Sequence, residues 1–100
     1  MSLETITSKI KEKMALAAGL SATVKFDFGD DGKVFVDTTQ SPAVVNNDDN
    51  EAELILETGL DTMQAIMDGT QDPNIAYMMG KLIVKGSMGL AMKLNAILED

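Results

Sequence analysis

The chain has 100 residues, 45% of them hydrophobic and 4% aromatic, with eight basic residues against sixteen acidic ones for a net charge of −8. That length supports one core, burying roughly two-thirds of the unfolded surface, and residues 1–100 read as a single domain. All eight basic residues are lysines, and cysteine and histidine are absent. Disulfides, thiolate nucleophiles, imidazole bases and the usual zinc ligands are therefore excluded. The acidic balance argues against nucleic acid, because phosphate contacts need clustered basic groups.

The chain opens with apolar residues at helical spacing, Leu3, Ile6, Ile10, Met14 and Ala17, interleaved with Lys9, Lys11, Glu12 and Lys13. This predicts an amphipathic helix over 3–18 that stops at Gly19. From Ala22 the period becomes two. Val24, Phe26 and Phe28 alternate with Thr23, Lys25 and Asp27, and after the Gly29–Gly32 turn Val34 and Val36 form the second arm of a hairpin. Ser41-Pro42 interrupts, and Ala43–Val45 reads as a short strand suited to a sheet edge. A polar loop at Asn46–Asn50 leads to a fourth strand over Ala52–Thr58, with Leu54 and Leu56 on one face and Glu53 and Glu57 on the other.

Thr58-Gly59-Leu60-Asp61 has capping-box form and predicts a helix to about Asp68, ended by Gly69. Asp72-Pro73 opens a short helix that Gly80 closes. Lys81–Lys85 is a fifth strand, and Gly86-Ser87 leads into a last helix running to Leu98.

Charge is uneven along this order. Residues 1–20 and 81–100 each hold three lysines and two acids, whereas 51–80 hold six acids and no base. The plain reading is a solvated surface; the sharper one brings a basic terminal helix to anionic headgroups. No apolar run reaches the length of a membrane span, and the N-terminus has no signal-peptide pattern, so a cytoplasmic protein is expected. The absence of cysteine fits a reducing compartment.

Few groups could carry chemistry. Asp27–Gly32 begins like a calcium loop, but Gly29 stands at the third ligand position and Thr38 where a bidentate glutamate is required. Tyr77, the only tyrosine, could assist a carboxylate base, yet beside Met78 it reads more simply as a packing residue. The expectation is a protein that is not an enzyme, with no metal and no cofactor. The methionines say more: six of eight fall between residues 63 and 92, with Met63/Met67 and Met88/Met92 each one helical turn apart. They are either ordinary core filling or an adaptable wall for apolar ligands.

The run from Asp72 to Leu94 resembles the signature of the sterol carrier protein 2 domain. It has Pro73, an aromatic at Tyr77, Gly80-Lys81-Leu82, and then Gly86-Ser87-Met88-Gly89-Leu90-Ala91-Met92-Lys93-Leu94. Leu54–Gly69 is similar to the strand and helix that precede it, and the first half agrees in layout. The resemblance implies an α+β fold, a five-stranded mixed β-sheet with helices on one face enclosing an apolar tunnel. It also implies binding or transfer of fatty acyl chains, acyl-CoA, phospholipid or sterol without catalysis, as in a bacterial-type stand-alone member of the family. The corresponding tunnel residues here are Met63, Ile66, Met67, Ile75, Met78, Met79, Leu82, Met88, Leu90 and Met92. Met78 replaces the second aromatic, Met79 and Asn95 stand where animal members carry glutamine, and Ile83 replaces a polar residue. The loss of polar anchors favours simple chains over sterols. The chain ends at Glu99-Asp100 without the peroxisomal Ser-Lys-Leu, and membrane contact is expected to be weak and transient. The other reading compatible with this fold is a non-catalytic interaction module, its tunnel filled by its own side chains, that docks a partner enzyme.

Overall fold

A computed structural model describes residues 2–15 and 20–98. The elements run α1 (Leu3–Ala15), β1 (Thr23–Asp27), β2 (Lys33–Asp37), β3 (Val44–Asn46), β4 (Leu54–Thr58), α2 (Leu60–Asp68), α3 (Pro73–Met78), β5 (Leu82–Lys85) and α4 (Met88–Leu98). The expected end of the first helix, with Ala17 and Gly19, lies outside the described residues.

The strands form one sheet in the order β3-β2-β1-β4-β5. β1 pairs with β4 in parallel, and every other pairing is antiparallel. Register puts Val24 beside both Val36 and Leu54, and Phe26 beside both Val34 and Leu56. These six face the helices, and they are buried in one cluster with Ile6, Ile10 and Met14 of α1, Met63, Ile66 and Met67 of α2, and Ala91, Leu94 and Leu98 of α4. Ile6, Ile10 and Met14 of the stripe read on the first helix are thus used in the core, with Leu3 packed half-buried against it. Among the described residues α1 keeps no apolar face for a lipid surface, and of its lysines Lys9 lies 3.6 Å from Asp68.

The opposite sheet face carries charge in rows. One row reads Phe35, Lys25, Ile55, Lys85, and the next Lys33, Asp27, Glu57, Ile83. Lys33 lies 3.3 Å from Asp27, Lys85 lies 2.7 Å from Glu57, and Lys25 reaches Asp49 at 2.7 Å. That last pair carries the β3–β4 loop across this face.

Local signals account for most element ends. Gly69 is left-handed and ends α2, with the Thr70 amide donating to the Ala65 carbonyl. The Asp72 carboxylate accepts from the amides of Asn74 and Ile75, and Pro73 occupies the first turn of α3. The expected capping box at Thr58 does not form. Its hydroxyl instead donates to the Lys81 carbonyl at 2.8 Å, because β4 and β5 pair there, and Gly59 is the cap.

The Asp27 carboxyl lies below its ordinary pKa, chiefly because the Gly29 amide donates to it, with further help from Lys33 against an opposing effect of burial. A lowered carboxyl stabilises the fold above its unfolded pKa, and that contribution disappears as pH falls through the folded value. Asp27→Asn is therefore expected to be less stable than the parent at pH 7 and to converge with it in acid. Urea melts of both proteins from pH 7 down to pH 3 measure this, and a constant gap would contradict it.

Candidate functional site

The helix α2 presents Met63, Ile66 and Met67 to the sheet at i, i+3 and i+4, the spacing that puts three side chains on one face. Leu82 of β5 belongs to the same buried cluster, and Leu90 of α4 packs half-buried against it. These five of the ten residues expected to line a tunnel come together as close-packed core. The other five do not join them. Ile75, Met78, Met79, Met88 and Met92 lie exposed on α3 and α4, with Met78 at 76%, Met79 at 61% and Met92 at 63% exposure.

Helix register explains the division. On α3, Pro73 and Ala76 are buried and α3 packs against β5, which turns Ile75, Met78 and Met79 outward. On α4, Ala91, Leu94 and Leu98 are buried, so Met88 and Met92 share the outer face one turn apart.

Between the start of α3 and α4 lies a cleft of about 150 Å³ bordered by Pro73, Asn74, Met92, Asn95 and Ala96. On its wall the Asn95 Oδ1 is buried without a hydrogen-bond partner among the described residues. Buried amide oxygens are nearly always paired, so this group stands ready for a donor. A larger cleft of about 330 Å³ lies between the end of α1 and the β2–β3 connection, lined by Met14, Leu20, Thr38, Pro42 and Val45 among others. Sequence reasoning missed it, because its walls come from segments that share no motif.

Groups suited to chemistry stay apart. The Tyr77 hydroxyl has no hydrogen-bond partner among the described residues. The carboxyl of Asp37 is lowered by bonds from Thr39, and the Lys85 ammonium is raised by Glu57. Both shifts have local causes in turns and pairs away from the methionines. Among the described residues, no three acidic side chains meet in a way that could hold a metal.

The model of the SCP-2 sterol transfer family matches residues 3–99. The chain belongs to that family. Among its relatives is a Caenorhabditis elegans protein, non-specific lipid-transfer protein-like 1, with 30% identity over 105 residues, 96% of this chain and 89% of that protein. Bovine sterol carrier protein 2 is 38% identical over 53 residues, 53% of this chain, and the match spans only 10% of that longer protein. The fold is similar to that of sterol carrier protein 2 from Aedes aegypti in complex with the C16 fatty acid palmitate. The TM-score is 0.78 at 21% identity, covering 98% of this chain and 96% of the other. Family members bind and transfer lipid, and no helix among the described residues is long and apolar enough to cross a membrane.

Proposed function

We propose that the protein is a non-catalytic carrier holding one acyl chain, as fatty acid, acyl-CoA or phospholipid, between the α2–sheet core and helices α3 and α4. The observation that carries this reading is the split methionine layer. Met63 and Met67 are sealed beneath, while Met78, Met79, Met88 and Met92 stand in solvent on the two helices beside the Asn95 cleft. Thioethers repack around varied apolar shapes, so Met63 and Met67 can yield to a chain, and rotation of α3 and α4 would turn their outward methionines onto it. Family membership and the palmitate-bound relative of the same fold support the same choice of ligand.

The energetics suit a carrier. A 16-carbon chain gains about 12 kcal/mol at about 0.8 kcal/mol per buried methylene. Losing about 5 kcal/mol to immobilisation and chain ordering leaves affinity near micromolar, tight enough to hold and weak enough to release. Saturated chains should bind ahead of sterols. A buried hydroxyl left unpaired costs about 1–3 kcal/mol, and among the described residues only one unpartnered buried side-chain acceptor, the Asn95 Oδ1, is there to offset part of it.

The test combines mass spectrometry of an organic extract with displacement of a fluorescent fatty acid. Co-purified acyl lipid is expected, with palmitate displacing the probe at roughly tenfold lower concentration than cholesterol. Asn95→Leu should widen that gap. Absence of lipid together with failure of any chain to displace the probe would favour a self-filled interaction module.

A further inference from the structure

The exposed apolar residues of α3 and α4 coincide with a reversal of charge. Residues 73–98 contain three lysines and no acid, in a chain of net charge −8. Lys85 is held by Glu57, whereas Lys81, just after α3, and Lys93, beside Met92, have no ion pair among the described residues. The outward face of α3 offers Ile75, Met78 and Met79 at i, i+3 and i+4, with Tyr77 half-exposed beside them. On α4, Met88 and Met92 continue the apolar surface across the cleft both helices border. Ile83 does not belong to it, since it stands next to Glu57 on the other face of the sheet.

We propose that this α3–α4 face docks on an anionic phospholipid bilayer. Apolar tips accompanied by Lys81 and Lys93 match the membrane boundary, where thioether and tyrosine side chains enter the headgroup layer and basic groups meet lipid phosphates. The acidic remainder of the chain is repelled, which orients the molecule. A second copy of the chain fits less well. A two-fold contact through this face would bring lysines together with no acid between residues 73 and 98 to oppose them, and contact with another copy's acidic surface would be head-to-tail and unclosed. The face borders the cleft beside the ligand layer, so docking would deliver the protein where an acyl chain enters or leaves. In that respect the inference rests on the carrier reading, but the binding itself does not.

The experiment is flotation of the purified protein with phosphatidylcholine vesicles containing or lacking 30% phosphatidylglycerol, at about 20 and about 300 mM salt. Binding is expected on the anionic vesicles at low salt. Lys81→Gln/Lys93→Gln should weaken it about thirtyfold, at roughly fivefold per basic group. Tyr77→Glu should weaken it as well. Lys11→Gln/Asn50→Asp makes the same change in net charge elsewhere and should retain binding. No flotation on anionic vesicles overturns the proposal, as does equal loss in the Lys11→Gln/Asn50→Asp protein. A concentration-dependent dimer in sedimentation that the Tyr77→Glu change abolishes, without vesicle binding, would assign the face to a second copy. Palmitate displacement on the same samples separates the two ideas. Flotation without displacement leaves docking standing and the carrier reading lost, and displacement without flotation does the reverse.

Discussion

Palmitate at a hundredfold excess over its dissociation constant is expected to raise the melting temperature of the delipidated protein by about 10–20 °C. A ligand that binds only the folded state adds about 2.7 kcal/mol at that excess, and a domain of this size shifts by about 4–8 °C per kcal/mol. The effect should depend on chain length. Each methylene is worth about 0.8 kcal/mol, close to fourfold in dissociation constant, so at fixed concentration the shift should climb steadily from C10 to C16. It should stop climbing once the chain is longer than the space the fold can cover. Scanning calorimetry after delipidation gives the answer directly. No shift with any saturated chain would remove the carrier reading.

Gly86→Ala should be the most damaging conservative change in the chain. Gly86 joins β5 to α4 at φ +128°, a region that side-chain-bearing residues rarely enter. A Cβ there would stand 2.5 Å from the Glu53 carbonyl oxygen and 3.2 Å from the Leu54 Cα. Both are backbone atoms at the start of β4, which is held between β1 and β5 and cannot step aside. Backbone strain and the clash together should cost about 3 kcal/mol and lower the melting temperature by about 12–24 °C. Gly29 supplies the contrast. Its φ is +64° and a Cβ there would meet nothing within 4 Å, so Gly29→Ala should cost only about 1–2 kcal/mol. Thermal melts of the two variants side by side decide the matter, and equal losses would show that the close approach to Glu53 has no consequence. Gly86 also sets the point where α4 leaves the sheet, so the variant should disturb ligand binding as well as stability.

The order of elements was legible from the sequence because it rests on short-range rules. Alternation at Val24, Phe26, Val34 and Val36 can satisfy a sheet only with one face inward, and the observed register pairs those residues. Gly69 and Asp72-Pro73 end one helix and start the next through bonds to their own neighbours, so nothing distant could alter them. The methionine stripe of α2 was equally clear, since three residues at helical spacing allow one buried face. The family signature between residues 72 and 94 pointed to the family and the α+β fold that the family model and the solved relatives bear out.

Tertiary structure decided what local rules leave open. Thr58 had the form of a cap, but a strand brought up from 23 residues away offered the Lys81 carbonyl and took its hydroxyl. The parallel pairing of β1 with β4 depends on a crossover that no local pattern encodes. Methionine is compatible with core, pocket and surface alike, so periodicity could group Met88 with Met92 but could not say which way they face. That was settled by Ala91, Leu94 and Leu98, whose burial turns the opposite side of α4 to solvent. The lysines were visible as a count, yet only the fold separated Lys85, tied to Glu57, from Lys81 and Lys93, which have no ion pair among the described residues. By itself, then, the sequence determined the elements, the sheet's inner face and the family. Which apolar residues are sealed and which meet water was decided by packing between elements far apart in the chain, because burial depends on every neighbour at once.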